Sequence, residues 1–373
     1  MIKRIYIDNY KCFVNFELRL QELTLLVGRN GAGKTSVLDA LYALRRLLEG
    51  TSRVTDRDIF PPSSRTRWQD RAVQVFETDV ELNGDEFVYR MEVEQDPVER
   101  RARINLEALT GNGGPLFRFE RGKVQLYRDD HSAGPEFLAD WTESALARVV
   151  EMDKNARLTR FLRFMRDTVV CRLNPPAFAA EADDEDQILA RDGSNFVRFY
   201  RHLLQERQHL NTEYVQAMKQ VLDGLRGFRL EKVGTETRAL VGVFGEADEP
   251  WEYKFSELSD GQRALIVLYA LTSLTAGQGR VLLIDEPFNY VGLREIQPWL
   301  ITLADACGST FPQAVVCSHH PEAIDYLGAD RGILLSRDGI GPTRAGALAE
   351  DLEKLAGDGS LRLSQVIARG WEQ

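Results

Sequence analysis

The chain has 373 residues, of which 43% are hydrophobic, and it carries a formal net charge of −10. This length and composition support a large buried core, whereas no stretch approaches the roughly 20 uncharged apolar residues of a membrane span. The N-terminus lacks the apolar core of a signal peptide, so we expect a soluble, cytoplasmic protein without a membrane partner. The acidic balance excludes a whole-protein field that attracts nucleic acid. Four scattered cysteines without CxxC spacing predict neither a zinc site nor a disulfide framework.

The first seventy residues change from strand patterns to a helical pattern and then to a loop. Alternating apolar residues over 1–20 predict a β-hairpin, and the apolar run 23–27 predicts a buried strand. After a Gly-rich turn, apolar residues spaced to bury one face predict a helix from Gly33 that ends at Gly50, where a C-terminal cap belongs. The stretch 51–70 is rich in Ser, Arg, Asp and Pro and predicts a mobile loop.

The remaining residues predict an α/β protein. Alternation over 72–128 indicates an antiparallel sheet, and the period over 136–225 is helical, interrupted by an acidic stretch and by Asn174-Pro175-Pro176. The last third alternates apolar strands with helices, which is typical of a parallel sheet covered on both faces. No heptad pattern persists long enough for a coiled-coil arm. We expect one domain over 1–373, organised as a lobe at 1–135, a short helical insert at 136–230 and a lobe at 231–373.

A phosphate-binding loop is predicted directly after the strand 23–27. Residues 28–35 match G-x-x-x-x-G-K-[ST] and open a helix, which is the setting this motif requires. The glycines let backbone amides wrap the phosphates, Lys34 would reach the β- and γ-phosphates, and the Thr35 hydroxyl would hold Mg²⁺. The alternative is an accidental Gly-rich turn. The nucleotide-binding residues predicted here are Gly28, Arg29, Asn30, Gly31, Ala32, Gly33, Lys34, Thr35 and Ser36.

Two adjacent carboxylates end the apolar strand 281–285, where ligands bind in open α/β sheets. Asp285 fits a metal-side ligand of Mg²⁺, and Glu286 fits the residue that orients or deprotonates the attacking water. The alternative is a solvated strand end.

The segment Leu258-Ser-Asp-Gly-Gln-Arg263 precedes a long apolar helical run. Ser259 and Gln262 form an S-x-x-Q capping box, and most such boxes are purely structural. The position of this segment, shortly before the acidic strand, favours a functional role as well.

Taken together, these residues resemble the ABC ATPase family, in which the signature serine and second glycine touch the γ-phosphate of the nucleotide bound by the other subunit. The resemblance assigns that role to Ser259 and Gly261, with Gln262 beside them. It implies a P-loop ABC ATPase head with an N-terminal antiparallel β subdomain, a parallel-sheet core flanked by helices and a short helical insert. It also implies a homodimer that sandwiches two ATP molecules. Asp260 stands where the usual first glycine of the signature would be, a departure common in the non-transporter branch.

A strand over 314–318 ends in two histidines, and a histidine at a strand tip is more often a surface residue. His319 follows Glu286 by 33 residues and resembles the ABC switch histidine, which senses the γ-phosphate and holds the water. His320 is the weaker candidate. Asn289 matches an asparagine often found in the loop that crosses the ABC dimer interface, although the residues after it depart from the common pattern.

Spacing indicates which ABC branch the chain resembles. Ser259 follows Lys34 by 225 positions, roughly twice the distance expected in a transporter's ATPase subunit. The pattern resembles the RecF/SMC-like branch, specifically short ATPases akin to OLD-family heads. The N-terminal hairpin, the DGSN stretch at 192–195 and the closing LRLSQVIARG support that resemblance.

The insert is too short for an SMC-type coiled coil, and the 54 residues after His319 are too few for an OLD-type nuclease domain, so any nuclease would be a partner.

The glutamine that contacts Mg²⁺ in many ABC proteins has no clear equivalent. The loop around Asn174-Pro175-Pro176 is the first candidate for its place and Gln74 the second.

The predicted function is an ATP-hydrolysing dimeric motor or switch in DNA repair or phage defence, acting with an effector such as a nuclease or toxin encoded nearby. The absence of an NKxD-type guanine signal favours ATP over GTP. The alternative is a non-catalytic, ATP-gated scaffold or sensor that regulates the effector. Direct DNA binding through basic clusters at Arg65 to Arg71, Arg100 to Arg103 and Arg157 to Arg166 is a third hypothesis, against which solvated helix faces or loops are the simpler interpretation.

Overall fold

The computed structural model describes residues 1–96, 101–246, 248–349 and 362–368. The strands are β1 (Ile2–Asp8), β2 (Phe16–Arg19), β3 (Leu23–Val27), β4 (Val73–Leu82), β5 (Asp85–Asp96), β6 (Arg101–Gly111), β7 (Gly114–Glu120), β8 (Lys123–Tyr127), β9 (Ala133–Leu138), β10 (Val169–Cys171), β11 (Glu181–Ala182), β12 (Leu225–Val233), β13 (Thr237–Gly245), β14 (Pro250–Lys254), β15 (Val281–Asp285), β16 (Gln313–Cys317), β17 (Gly332–Arg337) and β18 (Thr343–Ala347). The helices are α1 (Lys34–Glu49), α2 (Ala156–Asp167), α3 (Phe196–Glu206), α4 (Asn211–Lys219), α5 (Asp260–Ser273), α6 (Leu293–Ala306), α7 (Pro321–Arg331) and α8 (Leu363–Ala368).

These elements form two compact units. The first contains Met1–Thr168 and the described residues from Arg331 to 349, and the second contains Val169–Asp330 and residues 362–368. Among the described residues, no helix is both long and apolar enough to cross a bilayer. Three of the four free cysteines are buried and Cys307 is partly buried, which is typical of cysteines that pack as small apolar residues.

An antiparallel sheet dominates the first unit, as the sequence predicts. Its strands follow the order β2-β1-β4-β5-β6-β7-β8-β9. Alternate residues of β5 are buried, which buries one face of the strand. The tight turns between consecutive strands use the left-handed backbone that Asn-Gly pairs adopt readily, at Asn83-Gly84 and Asn112-Gly113. Because these turns join neighbouring strands, the sheet is built largely from local pairings.

A buried carboxylate stabilises this sheet. Glu107, on β6, accepts hydrogen bonds from the Tyr89 hydroxyl (2.9 Å), the Ser144 hydroxyl (2.5 Å) and the backbone N–H groups of Ala145 (3.0 Å) and Leu146 (3.3 Å). Burial raises the pKa of the Glu107 carboxyl, whereas the four donated hydrogen bonds favour its charged form. Glu107 therefore fastens the segment 144–146 to the sheet.

We expect Glu107→Gln to lower the free energy of unfolding by about 1–3 kcal/mol. The amide N–H₂ of glutamine would face hydroxyl and backbone N–H donors in a buried site, so some of these donors would lose their acceptor. The midpoint of urea unfolding, followed by circular dichroism, measures this change. Glu120→Gln, on the exposed side of β7, is the control and should leave the midpoint where it is. An equal shift in both variants would contradict the assigned role of Glu107.

The first unit also contains the strand-turn-helix that the sequence predicts around the Gly-rich loop. β3 pairs in parallel with β17, which pairs antiparallel with β18. α1 buries one face and ends at Gly50, whose left-handed backbone (φ 82°) lets its N–H bond the Leu47 carbonyl. The loop expected to be mobile is instead tied to the N-terminal hairpin, because the Lys11 N–H bonds the Ser64 carbonyl (2.6 Å).

The second unit contains a parallel sheet and an antiparallel sheet. β10 pairs in parallel with β15, and β15 pairs in parallel with β16. Every residue of these three strands is buried, which explains their apolar sequences. β13 pairs antiparallel with β11, β12 and β14, an arrangement that the sequence analysis did not predict.

The interrupted helical pattern expected over 136–225 missed a strand. Helices occupy only α2, α3 and α4, while Val169–Cys171 forms a buried strand beside β15. A run of three apolar residues between helices has no periodicity that distinguishes a strand from a helix. The partner of this strand lies more than 100 residues away, so no local signal reveals it.

Candidate functional site

Two glycines of the loop that joins β3 to α1 occupy positions where a side chain would not fit. At Gly28 (φ 153°) a Cβ would overlap the Leu335 carbonyl oxygen, and at Gly33 (φ 109°) it would lie 2.8 Å from the Cys12 sulfur. The left-handed backbone at Gly33 also suits glycine. Gly31 has a positive φ of 86°, but a Cβ there would meet no atom within 4 Å. The backbone of the loop therefore packs closely against Leu335 at Gly28 and against Cys12 at Gly33.

The first turn of α1 is open to an anion. Gly33 at its N-cap provides no side-chain cap, and the first turn has no acidic residue, so the helix dipole is not offset there. Lys34 is buried, and its Nζ donates to the Gly28 carbonyl oxygen at 2.6 Å. The ammonium group is therefore folded back over the loop whose motif binds phosphate, next to Thr35 and Ser36 at the start of the helix.

The β17–β18 segment supports this loop from the side. The Arg337 guanidinium donates to the Gly31 carbonyl oxygen (3.1 Å), and the Thr343 hydroxyl donates to the Ala32 carbonyl oxygen (2.9 Å). A cavity of about 440 Å³ opens beside the loop, lined by Arg29, Asn30, Gly31, Ala32 and residues 335–339. Sequence reasoning missed Arg337, although its place at the end of an apolar strand was the signal that could have found it.

In the second unit, β15 delivers two carboxylates to the end of the parallel sheet. Asp285 is 1% exposed, and its Oδ2 lies 3.8 Å from the Arg172 Nε. Glu286 has a left-handed backbone (φ 49°), which is costly for a residue with a side chain. Its N–H bonds the Cys317 carbonyl at 2.8 Å, which fixes this unusual geometry. Non-glycine residues in that region cluster at functional sites, so the strain supports a chemical role for Glu286.

Glu286 and His319 form a pair. The Glu286 Oε2 lies 2.8 Å from the His319 Nδ1, with the carboxylate side chain 14% exposed and the imidazole 64% exposed. β15 and β16 are parallel neighbours, with Asp285 level with Cys317, so residues just beyond both strands meet at one edge. The structure brings together the two residues that the sequence proposed as water-positioning groups. A carboxylate at Nδ1 orients the ring and leaves Nε2 for another partner.

His320 has a packing role instead. Its Nδ1 accepts a hydrogen bond from the Glu322 N–H at 3.2 Å, at the start of α7. Its ring contacts Phe288 edge-on, with centroids 5.9 Å apart, and burial lowers the pKa of the imidazole. These contacts account for His320 by packing alone, and no catalytic role is needed to explain it.

The predicted capping box is present at the start of α5. The Gln262 N–H donates to the Ser259 Oγ (3.3 Å), and the Ser259 N–H donates to the Gln262 Oε1 (3.0 Å). A Cβ on Gly261 would lie 2.6 Å from the Tyr290 carbonyl oxygen, in the loop that follows Glu286. Asn289 lies in the same loop, and its N–H bonds the Glu286 carbonyl at 3.4 Å. Ser259 therefore caps α5, as the capping-box interpretation predicted. Any further contact of its hydroxyl would be made on the side that faces solvent.

Of the two candidates for a metal-contacting glutamine, Gln74 does not fit. It is buried, its Nε2 donates to the Asn9 carbonyl (3.1 Å), and its Oε1 accepts from Gln95 (3.0 Å). Asn174 follows β10, the neighbour of β15, and its N–H bonds the Asp192 carbonyl at 2.9 Å.

The donor chemistry suits Mg²⁺, which prefers oxygen ligands and typically takes one or two from the protein together with phosphates and water. In the second unit, Asp285 supplies a buried carboxylate of this kind. Across the described ranges, no three His, Cys, Asp or Glu side chains cluster as a ready-made metal cage.

Several arginines of the basic clusters proposed for DNA binding pair with carboxylates. Arg157 and Arg160 both pair with Asp85, and Arg163 pairs with Glu151. Other members of these clusters are paired in the same manner, namely Arg71 with Asp8 and Arg103 with Glu94. Arg100 lies outside the described residues. The pairing favours the solvated-surface interpretation.

The Gly-rich loop and the fold around it define a P-loop ATPase-type domain. The chain belongs to the family described as "AAA domain, putative AbiEii toxin, Type IV TA system", whose profile matches residues 23–325. A 41-residue segment is 46% identical to the OLD nuclease of Thermus scotoductus and covers 11% of this chain but only 8% of that protein.

Solved structures of SMC heads share the fold. The SMC head bound to the C-winged-helix domain of ScpA has a TM-score of 0.58 at 12% identity, covering 94% of this chain and 99% of that one. The Smc head with an extended coiled coil, bound to the C-terminal domain of ScpA from Pyrococcus furiosus, has a TM-score of 0.54 at 11% identity, covering 95% and 98%.

Proposed function

We propose that this chain binds ATP through the loop 28–36 and hydrolyses it with Glu286 and His319. The observation that carries the proposal is the Glu286–His319 pair, built on a strained backbone at the end of a buried strand. Lys34 contacts the β- and γ-phosphates, Glu286 orients or deprotonates the attacking water, and His319 holds that water and the γ-phosphate. Thr35 and Asp285 would hold Mg²⁺, which when bound neutralises phosphate charge.

Steady-state phosphate release by the purified chain tests hydrolysis. Turnover that depends on Mg²⁺ and ATP supports the proposal. ATP binding without turnover, even with DNA or a partner present, favours the alternative of a non-catalytic scaffold that regulates an effector.

We further propose a homodimer in which Ser259 and Gly261 of one copy face the γ-phosphate held by the other. Ser259 is exposed although it caps α5, which leaves one side of the hydroxyl for a phosphate. Light scattering should detect dimers of Glu286→Gln in ATP but monomers in ADP.

A matched pair of variants separates capping from phosphate contact. Aspartate and asparagine both cap helices about as well as serine, but only aspartate places a negative charge against the phosphate. In the Glu286→Gln background, we expect Ser259→Asp to abolish the ATP-dependent dimer and Ser259→Asn to retain most of it. Equal behaviour of the two variants would contradict the phosphate contact.

The proposed biological role is a cytoplasmic ATPase in DNA repair or phage defence, coupled to an effector such as a nuclease or toxin. The family description names a putative toxin of a Type IV toxin–antitoxin system, and the OLD relative is a nuclease. These descriptions apply to those proteins and support the role here only by similarity. Co-purification of the product of a neighbouring gene would test it. Direct DNA binding is the weaker hypothesis because its arginines are paired with carboxylates.

A further inference from the structure

Arg172 lies beside the carboxylate that is proposed to hold the metal. Arg172 follows the last residue of β10, and Cys171 is level with Ile284 of β15, so Arg172 stands next to Asp285 at the same sheet edge. Its Nε is 3.8 Å from the Asp285 Oδ2, too far for a hydrogen bond but close enough for a charge interaction. The Arg172 side chain is 58% exposed, whereas Asp285 is buried.

The backbone around Arg172 is held by hydrogen bonds, whereas its side chain is more than half exposed. Its N–H bonds the Arg191 carbonyl (2.7 Å), and two further bonds join Asn174 to Asp192 (2.9 Å) and Ala179 to Ser194 (2.9 Å). Two of these three acceptor carbonyls, those of Asp192 and Ser194, belong to the DGSN stretch at 192–195. Gly193 has a φ of 78°, and a Cβ there would lie 2.5 Å from Phe178, so the stretch fits closely against the loop after β10.

Arg172 therefore combines a backbone held by hydrogen bonds with an exposed guanidinium. A guanidinium is more weakly hydrated than an ammonium and remains charged at any physiological pH. Without a metal, it offsets the cost of burying the Asp285 carboxylate. A divalent cation on the same carboxylate would repel it, and the exposed side chain can swing away.

We propose that Arg172 is a displaceable counter-ion of Asp285 that competes with the divalent cation for this carboxylate and so sets the metal concentration at which nucleotide binds. Arg172 is then a positioning residue and need not touch the substrate. The inference depends on the proposed ATP binding and deepens it, because Arg172 would then determine how readily a divalent cation occupies Asp285. The DGSN stretch contributes by holding Arg172 at the correct distance.

The test is a titration of MgCl₂ at a fixed concentration of fluorescent mant-ATP, with nucleotide binding as the readout. We expect Arg172→Ala to lower the half-saturating Mg²⁺ concentration about 5- to 10-fold, the scale of a partly screened charge at this distance. Arg172→Lys keeps the charge and should stay within about 2-fold of the wild type. Arg229→Ala removes another exposed arginine of the same unit, which pairs with Glu252, and should have no effect.

The possible outcomes separate the two proposals. An unchanged Mg²⁺ requirement in Arg172→Ala overturns the counter-ion role. So does a loss of mant-ATP affinity at saturating Mg²⁺, since Arg172 would then contact the nucleotide itself. If the wild type binds no mant-ATP at any Mg²⁺ concentration, the proposed ATP binding fails. Thermal melting of each variant establishes that the fold is retained.

Discussion

Glu286→Gln is expected to lower the ATP turnover number about 100- to 10,000-fold while ATP affinity stays within about 3-fold of the wild type. Glutamine preserves the size of the side chain and can still contact His319 Nδ1, which lies 2.8 Å from the carboxylate. An amide cannot accept the proton of the attacking water, so the loss should fall on the chemical step. Phosphate release at saturating Mg²⁺ and ATP measures turnover, and mant-ATP fluorescence measures affinity.

Two further variants make this result specific. Glu252→Gln changes an exposed carboxylate that pairs with Arg229 and should leave turnover unchanged. His319→Ala should also reduce turnover, because the attacking water and the γ-phosphate would lose the imidazole that is proposed to hold them. Undiminished turnover in Glu286→Gln would show that another group activates the water.

The parts of the fold that sequence predicts well are those whose signals are local. β3, the Gly-rich loop and α1 follow one another directly, and each has its own pattern: an apolar run, constrained glycines and a 3.6-residue period. The hairpins of the first unit can be predicted equally well from sequence, since Asn-Gly pairs mark the turns between their strands. Their strand order follows from short connections between neighbours.

The parts that sequence misses depend on distant partners. β10 is a strand because β15 lies beside it, more than 100 residues along the chain. Arg172 was missed for the same reason, because it lies beside Asp285 only when β10 pairs with β15. A charged residue at the end of an apolar run was nevertheless a signal that could have found it.

Backbone geometry at the site also escapes sequence reasoning. A glutamate carries no indication that its φ is +49°, and the bond from its N–H to Cys317 exists only once β15 and β16 are paired. The proximity of Glu286 and His319 was nevertheless predictable, since the ends of parallel strands meet at one edge of a sheet.

The phosphate loop provides the second large effect. Gly28→Ala is expected to reduce ATP affinity at least about 100-fold, because its Cβ would overlap the Leu335 carbonyl oxygen, a backbone atom of β17 that cannot rotate aside. The loop would have to move, and with it the Gly28 carbonyl that holds the Lys34 ammonium at 2.6 Å. Mant-ATP titration measures the loss, and thermal melting shows whether the fold survives.

Gly31→Ala is the matched control within the same loop. Its φ of 86° makes alanine cost about 1 kcal/mol in backbone strain, but the added methyl group would meet no atom within 4 Å. Gly31→Ala should therefore weaken ATP binding less than about 10-fold. If both variants lose affinity equally, strain alone controls the loop and the contact with β17 is irrelevant. If only Gly28→Ala loses it, ATP binding depends on how closely β17 packs against the loop, and Arg337, which bonds the Gly31 carbonyl from the same strand, belongs to that support.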